Sequence, residues 1–260
     1  MSRLNIFEAI KSNNKKTSSI FSTRSLIVIQ NVAAQVLIIG TIIIIMQVRY
    51  LKNTDKGFNR ESVVMIPFEK ISDQQRQLLS QRLNSIPGIQ SFSFCYQSPG
   101  VDTRRGATIK FDTRAEWETG PARFSIGDSA YFRTFSIPLK YGRTISPTAA
   151  KPEYLVNEMM ARQLLPKNPQ DVIGKKLMAG DQEGIIVGVT NDFNLKSMRS
   201  PIEPIVFLEV DFLSTNLAVK LSGANKQASL NLLKREYERT FPDQLFTYQF
   251  VDDRIAQLYK

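Results

Sequence analysis

The sequence predicts an α+β protein. It has an N-terminal transmembrane helix, then a split β-α-β lobe of one four-stranded sheet and two helices, into which a mixed α/β second lobe is inserted. Three observations carry this reading. Residues 25–48 form a run of 24 residues without a charge. Two β-α-β hydrophobic patterns match at an offset of 154 residues. Between them lies a stretch of short strands separated by Gly- and Pro-rich turns.

The membrane segment comes first in the chain. As a helix, 24 residues measure about 36 Å, enough to cross a hydrocarbon core of about 30 Å with some tilt. Fourteen of residues 26–48 are Leu, Ile or Val, and at about −0.3 to −0.6 kcal/mol each they outweigh the cost of Gln30, Asn31, Gln35 and Gln47. The transmembrane helix is placed at 25–49, after a cytoplasmic linker at 1–24. A cleaved leader would have a shorter apolar region and a small-residue cleavage site. Met46-Gln47-Val48-Arg49-Tyr50 follows instead, so the segment stays. Five basic residues precede it (Arg3, Lys11, Lys15, Lys16, Arg24) and four follow (Arg49, Lys52, Lys56, Arg60), a small bias toward a cytoplasmic N-terminus. At 100° per residue Gln30, Asn31, Ala34, Gln35, Ile38 and Thr41 share one face. Amides and small residues on one stripe are the usual contact between packed transmembrane helices; the plainer reading is that isolated amides are tolerated.

The main domain is placed at 58–260, after a polar linker containing Gly57. Val63 to Phe68 read as a buried strand. Ser72-Asp73-Gln74-Gln75 is a capping box for a helix at 72–86 carrying Leu79, Leu83 and Ile86, stopped by Pro87-Gly88. Phe92, Phe94 and Tyr96 then alternate as a half-buried strand. The unit returns as a strand at 215–221, a helix at 225–240 lined by Leu230, Leu233 and Tyr237, and a strand at 245–251 with Phe246, Tyr248 and Phe250. Two matching β-α-β halves predict a ferredoxin-like sheet. The inserted lobe at 101–210 is expected to hold strands near 106–113, 121–127, 185–190 and 204–210. Its helices are expected at 128–135 and at 157–165, the second capped by Asn157 and stopped by Pro166. Its entry near Pro99-Gly100 and exit near Ser214 should lie close together.

Composition narrows the chemistry. The 260 residues are 42% hydrophobic and 22% charged, as in ordinary globular chains. There is no histidine, and Cys95 is the only cysteine. That removes Ser-His-Asp and Cys-His catalysis, internal disulfides and the commonest zinc sites. The net charge is +10, but residues 1–57 hold 8 Lys/Arg against 2 Asp/Glu, so more than half of the excess flanks the apolar segment. No basic block with interleaved aromatics follows, so no nucleic-acid partner is expected. There is no P-loop, and Ile173-Gly174-Lys175-Lys176 is too short to be one. A G-x-S-x-G elbow is also missing. Asp252-Asp253 read as a helix cap rather than metal ligands or an acid-base pair, and Asn191-Asp192-Phe193 as a turn. Trp117 and Glu118 sit on an exposed loop without polar company. No catalytic residue, cofactor site or metal site is expected.

Tyr131-Phe132-Arg133-Thr134-Phe135-Ser136-Ile137-Pro138-Leu139 with Gly142-Arg143 resembles a stretch of the MacB-like extracytoplasmic core domain of FtsX-like ABC permeases. Further segments resemble the same family in the same order: Leu155-Val156-Asn157-Glu158, Ile173-Gly174-Lys175-Lys176-Leu177, Ile186-Val187-Gly188-Val189 with Asp192-Phe193, and Pro201-Ile202-Glu203-Pro204. Phe241-Pro242 and Asp252-Asp253 to Leu258-Tyr259 fit as well. Asn5-Ile6-Phe7-Glu8-Ala9-Ile10-Lys11 is similar to the cytoplasmic linker before the second half of long members. Asn194 departs from the pattern, since many relatives carry histidine there.

The resemblance implies a porter-like lobe at 60–98 and 214–251 and the inserted lobe at 101–210. It also implies residence in the cytoplasmic (inner) membrane, with the main domain extracytoplasmic (periplasmic). The partners it implies are membrane lipid, a cytoplasmic ABC ATPase subunit on another chain, other permease helices or a second permease half, and an extracytoplasmic partner protein. The implied role is to relay ATPase-driven motion of the membrane helices to a substrate or partner outside. Relatives enter their next membrane helix where this chain ends at Lys260, which implies a fragment or a truncated half. The rival reading is an extracytoplasmic ligand-sensing domain of a membrane-anchored signalling protein. A cytoplasmic signalling module after Lys260 would favour that rival, and three further hydrophobic segments the permease.

Overall fold

A 24-residue apolar run without proline should stay helical beyond the bilayer, and it does. In the computed structural model, which describes residues 16–53, 62–101, 106–118, 122–193, 201–222 and 225–257, helix α1 spans Lys16–Asn53. Within it Arg24–Gln47 has a mean hydropathy of 2.2, and none of that apolar surface is buried within the protein. The motif at residues 5–11, Gly57, Asn194 and the closing Leu258-Tyr259-Lys260 lie outside the described residues. The chain divides into two compact units, Met1–Thr54 and Asp55–Lys260.

In the second unit the two β-α-β patterns build one sheet. Strands β1 (Val63–Pro67) and β2 (Ile89–Cys95) flank helix α2 (Asp73–Asn84) in sequence. Strands β11 (Asn216–Leu221) and β12 (Gln249–Phe250) flank helix α5 (Lys226–Thr240). Their order in the sheet is β12-β1-β11-β2, every neighbour antiparallel. This is the ferredoxin-like arrangement, in which each half lends a strand to the other's middle. The capping box forms as expected, with Ser72 and Gln75 satisfying each other's backbone N–H groups. Leu79, Leu83, Leu233 and Tyr237 share one apolar core with Val64, Ile66 and Phe94, so both helices cover the same face.

The last strand is shorter than the expected 245–251. Register runs Val64 to Phe250 and Met65 to Gln249, then stops. The next outward-facing position of β1 is Pro67, because Phe68 turns its N–H the other way, to Thr215 O. Proline has no N–H to give a fourth strand. The Pro67 carbonyl accepts from the Tyr237 hydroxyl instead, and the Glu69 N–H donates to Gln244 Oε1. Phe246, Tyr248 and Phe250 form a chain of ring contacts beside this edge.

The second sheet belongs to the inserted segment. Its strands are β3 (Gly106–Ala107), β4 (Ile109–Phe111), β5 (Ala122–Ile126), β6 (Leu139–Gly142), β7 (Glu153–Asn157), β8 (Lys176–Ala179), β9 (Gln182–Thr190) and β10 (Ile205–Leu208). The order is β3-β5-β10-β7-β9-β8-β4, with β6 also on β9. The two end strands, β3 and β4, are separated in sequence only by Thr108, so the sheet curls nearly closed around its own core of Tyr154, Val156, Ile186 and Val206. The single strand expected at 106–113 is therefore two strands serving opposite ends. Strands β6, β7 and β8 were not expected. They are only four or five residues long.

Helix α4 (Glu158–Leu164) is capped by Asn157, as expected. The other expected helix, at 128–135, shrinks to α3 (Tyr131–Thr134). The Asp128 carboxylate accepts the Ala130 N–H and holds 128–130 in a turn. Ser136, at φ 53°, ends the helix on the other side. Helix α6 (Val251–Gln257) closes the described chain, with Asp252 and Asp253 in its first turn. Gly188 in β9 explains one quoted motif: a Cβ there would lie 2.4 Å from the Arg143 carbonyl oxygen and 2.6 Å from the Leu155 side chain.

Candidate functional site

The six residues expected to form a packing face all lie within α1. Gln30, Asn31, Ala34, Gln35, Ile38 and Thr41 are all exposed, and Thr41 satisfies its hydroxyl on the Leu37 carbonyl at 2.8 Å.

In the second unit the chemistry gathers where sequence reasoning did not look. A groove of about 830 Å³ runs beside β2, walled by the polar face of α2 on one side and by residues 128–133 on the other. It holds four carboxylates (Asp73, Asp128, Glu209, Asp211) and two guanidiniums (Arg76, Arg133). Arg76 pairs with Asp211 at 2.8 Å and lies 4.6 Å from the centre of the Phe94 ring. Asp128 accepts from the Ser93 hydroxyl at 2.7 Å and the Phe94 N–H at 2.8 Å. Burial pushes its carboxyl above the usual range, against those bonds.

Glu209 follows the four-residue strand β10 (Ile205–Leu208) and is partly buried. Burial first, then the charges of Asp128 and Asp211, push its carboxyl up from 4.5 to about 7. The folded protein therefore holds this proton where the unfolded chain has lost it. The penalty is absent below about pH 4.5, grows as pH rises through the interval to 7, and is complete above it. Glu209→Gln removes the penalty. Chemical denaturation should find the variant equal to the parent at pH 4 and more stable at pH 8, by about 1 kcal/mol once solvent screening is allowed for.

The other residues named from sequence play structural parts. Glu118 pairs with Arg114 at 2.6 Å, and Trp117 is about half exposed. Asp192 does more than make a turn: its carboxylate accepts the Met159 N–H in the first turn of α4, and Phe193 is buried. Among the described residues no group of three His, Cys, Asp or Glu is arranged to hold a metal. Glu209 had one signal in the sequence, a carboxylate inside the run Ile205-Val206-Phe207-Leu208-Glu209-Val210. Asp128, in an ordinary Gly-Asp-Ser turn, had none.

A family model described as MacB-like periplasmic core domain matches residues 26–236. No curated protein matches the chain significantly. Among solved structures, the periplasmic region of MacB from Actinobacillus actinomycetemcomitans is 13% identical, with a TM-score of 0.52 over 81% of this chain and 98% of that one. The extracellular domain of the noncanonic ABC-type transporter YknZ from Gram-positive bacteria is 15% identical, with a TM-score of 0.48 over 72% and 98%. At 13% identity the likeness to the MacB region is one of fold.

Proposed function

Because this chain belongs to the family of MacB-like periplasmic core domains of ABC-type transporter permeases, we propose that it relays ATPase-driven motion of membrane helices to a substrate or partner protein outside the cytoplasmic membrane. The observation that carries this is the extent of the match. It begins within the apolar helix, takes in the whole curled sheet and three of the four strands of the other sheet, and ends within α5, so one family match spans both anchor and domain.

The proposed organisation is a cytoplasmic linker at 1–24, a membrane span at 25–49 and an extracytoplasmic core at 58–260. The porter-like lobe takes 60–98 and 214–251, and the inserted lobe 101–210. The continuous sheet made from both chain ends supports that division. The role is mechanical rather than enzymatic, and ATP is hydrolysed by a separate subunit. A sequence with no histidine, no P-loop and one buried cysteine supports that reading.

The face of Gln30, Asn31, Ala34, Gln35, Ile38 and Thr41 is the proposed contact with other permease helices or a second permease half. An anchor surrounded only by lipid gains nothing from three amides on one face of its apolar span, whereas packed helices share hydrogen bonds there. The test is the double variant Asn31→Leu, Gln35→Leu in the assembled transporter. Helix association in the membrane should weaken by about 1 kcal/mol. ATP hydrolysis should persist while export falls, the signature of a broken relay. Unchanged association and unchanged export would overturn the assignment of this face.

A further inference from the structure

We propose that the open edge of β2 at Phe92, in the groove lined by Asp128 and Glu209, takes up an extended peptide segment of a partner protein that carries a lysine or arginine. This goes beyond the relay and does not depend on it.

The argument begins with strand polarity. β2 is an end strand of its sheet, and β11 is its one neighbour within that sheet. Successive residues of a strand turn their N–H and C=O groups to opposite sides, so positions two apart face the same way. Phe94 faces outward. Its carbonyl accepts the Asp128 N–H at 3.1 Å and its N–H donates to Asp128 Oδ2 at 2.8 Å. Tyr96 N–H donates to the Ile126 carbonyl, and Cys95 bridges Gly127 in antiparallel fashion. The protein thus adds a short strand, residues 126–128, to its own edge. The Asp128 carboxylate stands where the next strand carbonyl would be, and there the added strand ends.

Phe92 is the next outward-facing residue. Among the described residues nothing takes its N–H or C=O on that side, and the groove runs past it. An unpaired edge is a template for another strand. The volume of about 830 Å³ lies within the range of sites that hold ligands.

A second observation points the same way. Ser93 gives its hydroxyl to Asp128. Ser91, two residues earlier on the same face, is a groove residue, 4% exposed, and its buried hydroxyl has no hydrogen-bond partner. A buried hydroxyl left unpaired costs about 1–3 kcal/mol. A polar atom on an incoming strand would stand to Ser91 as Asp128 stands to Ser93.

Charge sets the chemistry of the occupant. Arg76 is engaged by Asp211 and the Phe94 ring, and four carboxylates face two guanidiniums along the groove. Among the described residues no cation pairs with Glu209, whose raised carboxyl would ionise fully beside an incoming ammonium or guanidinium.

The experiment pans a phage-displayed library of random heptapeptides on the full chain in lipid nanodiscs, with empty nanodiscs as the counter-screen. Enriched sequences should alternate β-branched or aromatic residues and carry a lysine or arginine. Synthetic copies should bind at least 10-fold more weakly when every second amide is N-methylated, and several-fold more weakly to Glu209→Gln. Phe92→Pro, which removes the outward N–H and the ring packed on Phe94 but no ladder bond to β11, should abolish binding. The N-methylated peptides give the same information if that variant fails to fold. No enrichment over empty nanodiscs, or binding indifferent to N-methylation, would overturn the proposal.

Discussion

Tyr131→Ala should lower the unfolding free energy of the core domain by about 3–5 kcal/mol, the range for removing a large aromatic from a core. Tyr131 is fully buried and sits where the two sheets meet. Its ring contacts Phe132, Phe135 and Phe207, with centroids at 5.6, 4.7 and 5.0 Å. The same cluster holds Val63, Met65, Cys95 and Ala218 from the four-stranded sheet and Leu155 and Ile205 from the curled one. Gly127 leaves room for the ring, since a Cβ there would lie 2.7 Å from it. The hydroxyl donates to the Gln97 carbonyl at 3.1 Å. Tyr131→Phe should therefore cost only about 1 kcal/mol, which separates the ring from its polar end. Denaturation followed by the fluorescence of Trp117, the sole tryptophan, reads both. A loss below 1 kcal/mol for the alanine variant would mean that the two sheets do not depend on this wedge.

Asn157→Ala should be nearly as damaging, at about 2–4 kcal/mol. The side chain is 1% exposed and uses both ends of its amide. Its oxygen accepts the Met160 N–H at 3.0 Å, capping α4, and the Ile205 N–H at 2.9 Å, fixing the start of β10. Its nitrogen donates to the Glu203 carbonyl at 2.9 Å. Alanine would strand two buried N–H groups and a carbonyl, and lose a cap worth about 1 kcal/mol. Asn157→Asp should be milder, because it keeps both acceptor bonds and loses only the donor to Glu203. Equal losses for alanine and aspartate would contradict this division.

Asn157 also shows where sequence reading reaches its limit. Its role as a helix cap was legible, because a cap needs only neighbours in sequence. Its bonds to residues 203 and 205 were not, because they depend on how β10 lies beside β7. The same contrast runs through the fold. The capping box at Ser72 and the common core of Leu79, Leu83, Leu233 and Tyr237 follow from hydrophobic period and local polar chemistry, so they were foreseen. The curled sheet was not, since its short strands β3, β4, β6 and β8 carry too few residues to show alternation. The early end of β12 had a visible cause, Pro67, but which edge the proline faced was set by register alone. The groove beside β2 joins residues 90–94 to 128 and 209, and only the packing of one sheet on the other brings them together. The helix α1 itself was legible, because an uncharged apolar run of that length leaves few alternatives; the packing role of its amide face stays a proposal.

The central claim is that the extracytoplasmic core moves with the ATP cycle of its transporter, and one distance tests it. Cys95 is buried, and burial pushes its thiol well above the ordinary range, so a spin label attaches selectively to a cysteine introduced at the exposed Glu183. In the assembled transporter, pulsed electron paramagnetic resonance then measures the distance from that label to one on the other permease half, without nucleotide and with ATP trapped on the ATPase. The relay predicts a distance distribution that shifts with ATP and does not shift when the ATPase cannot bind nucleotide. An identical distribution in every nucleotide state would contradict it.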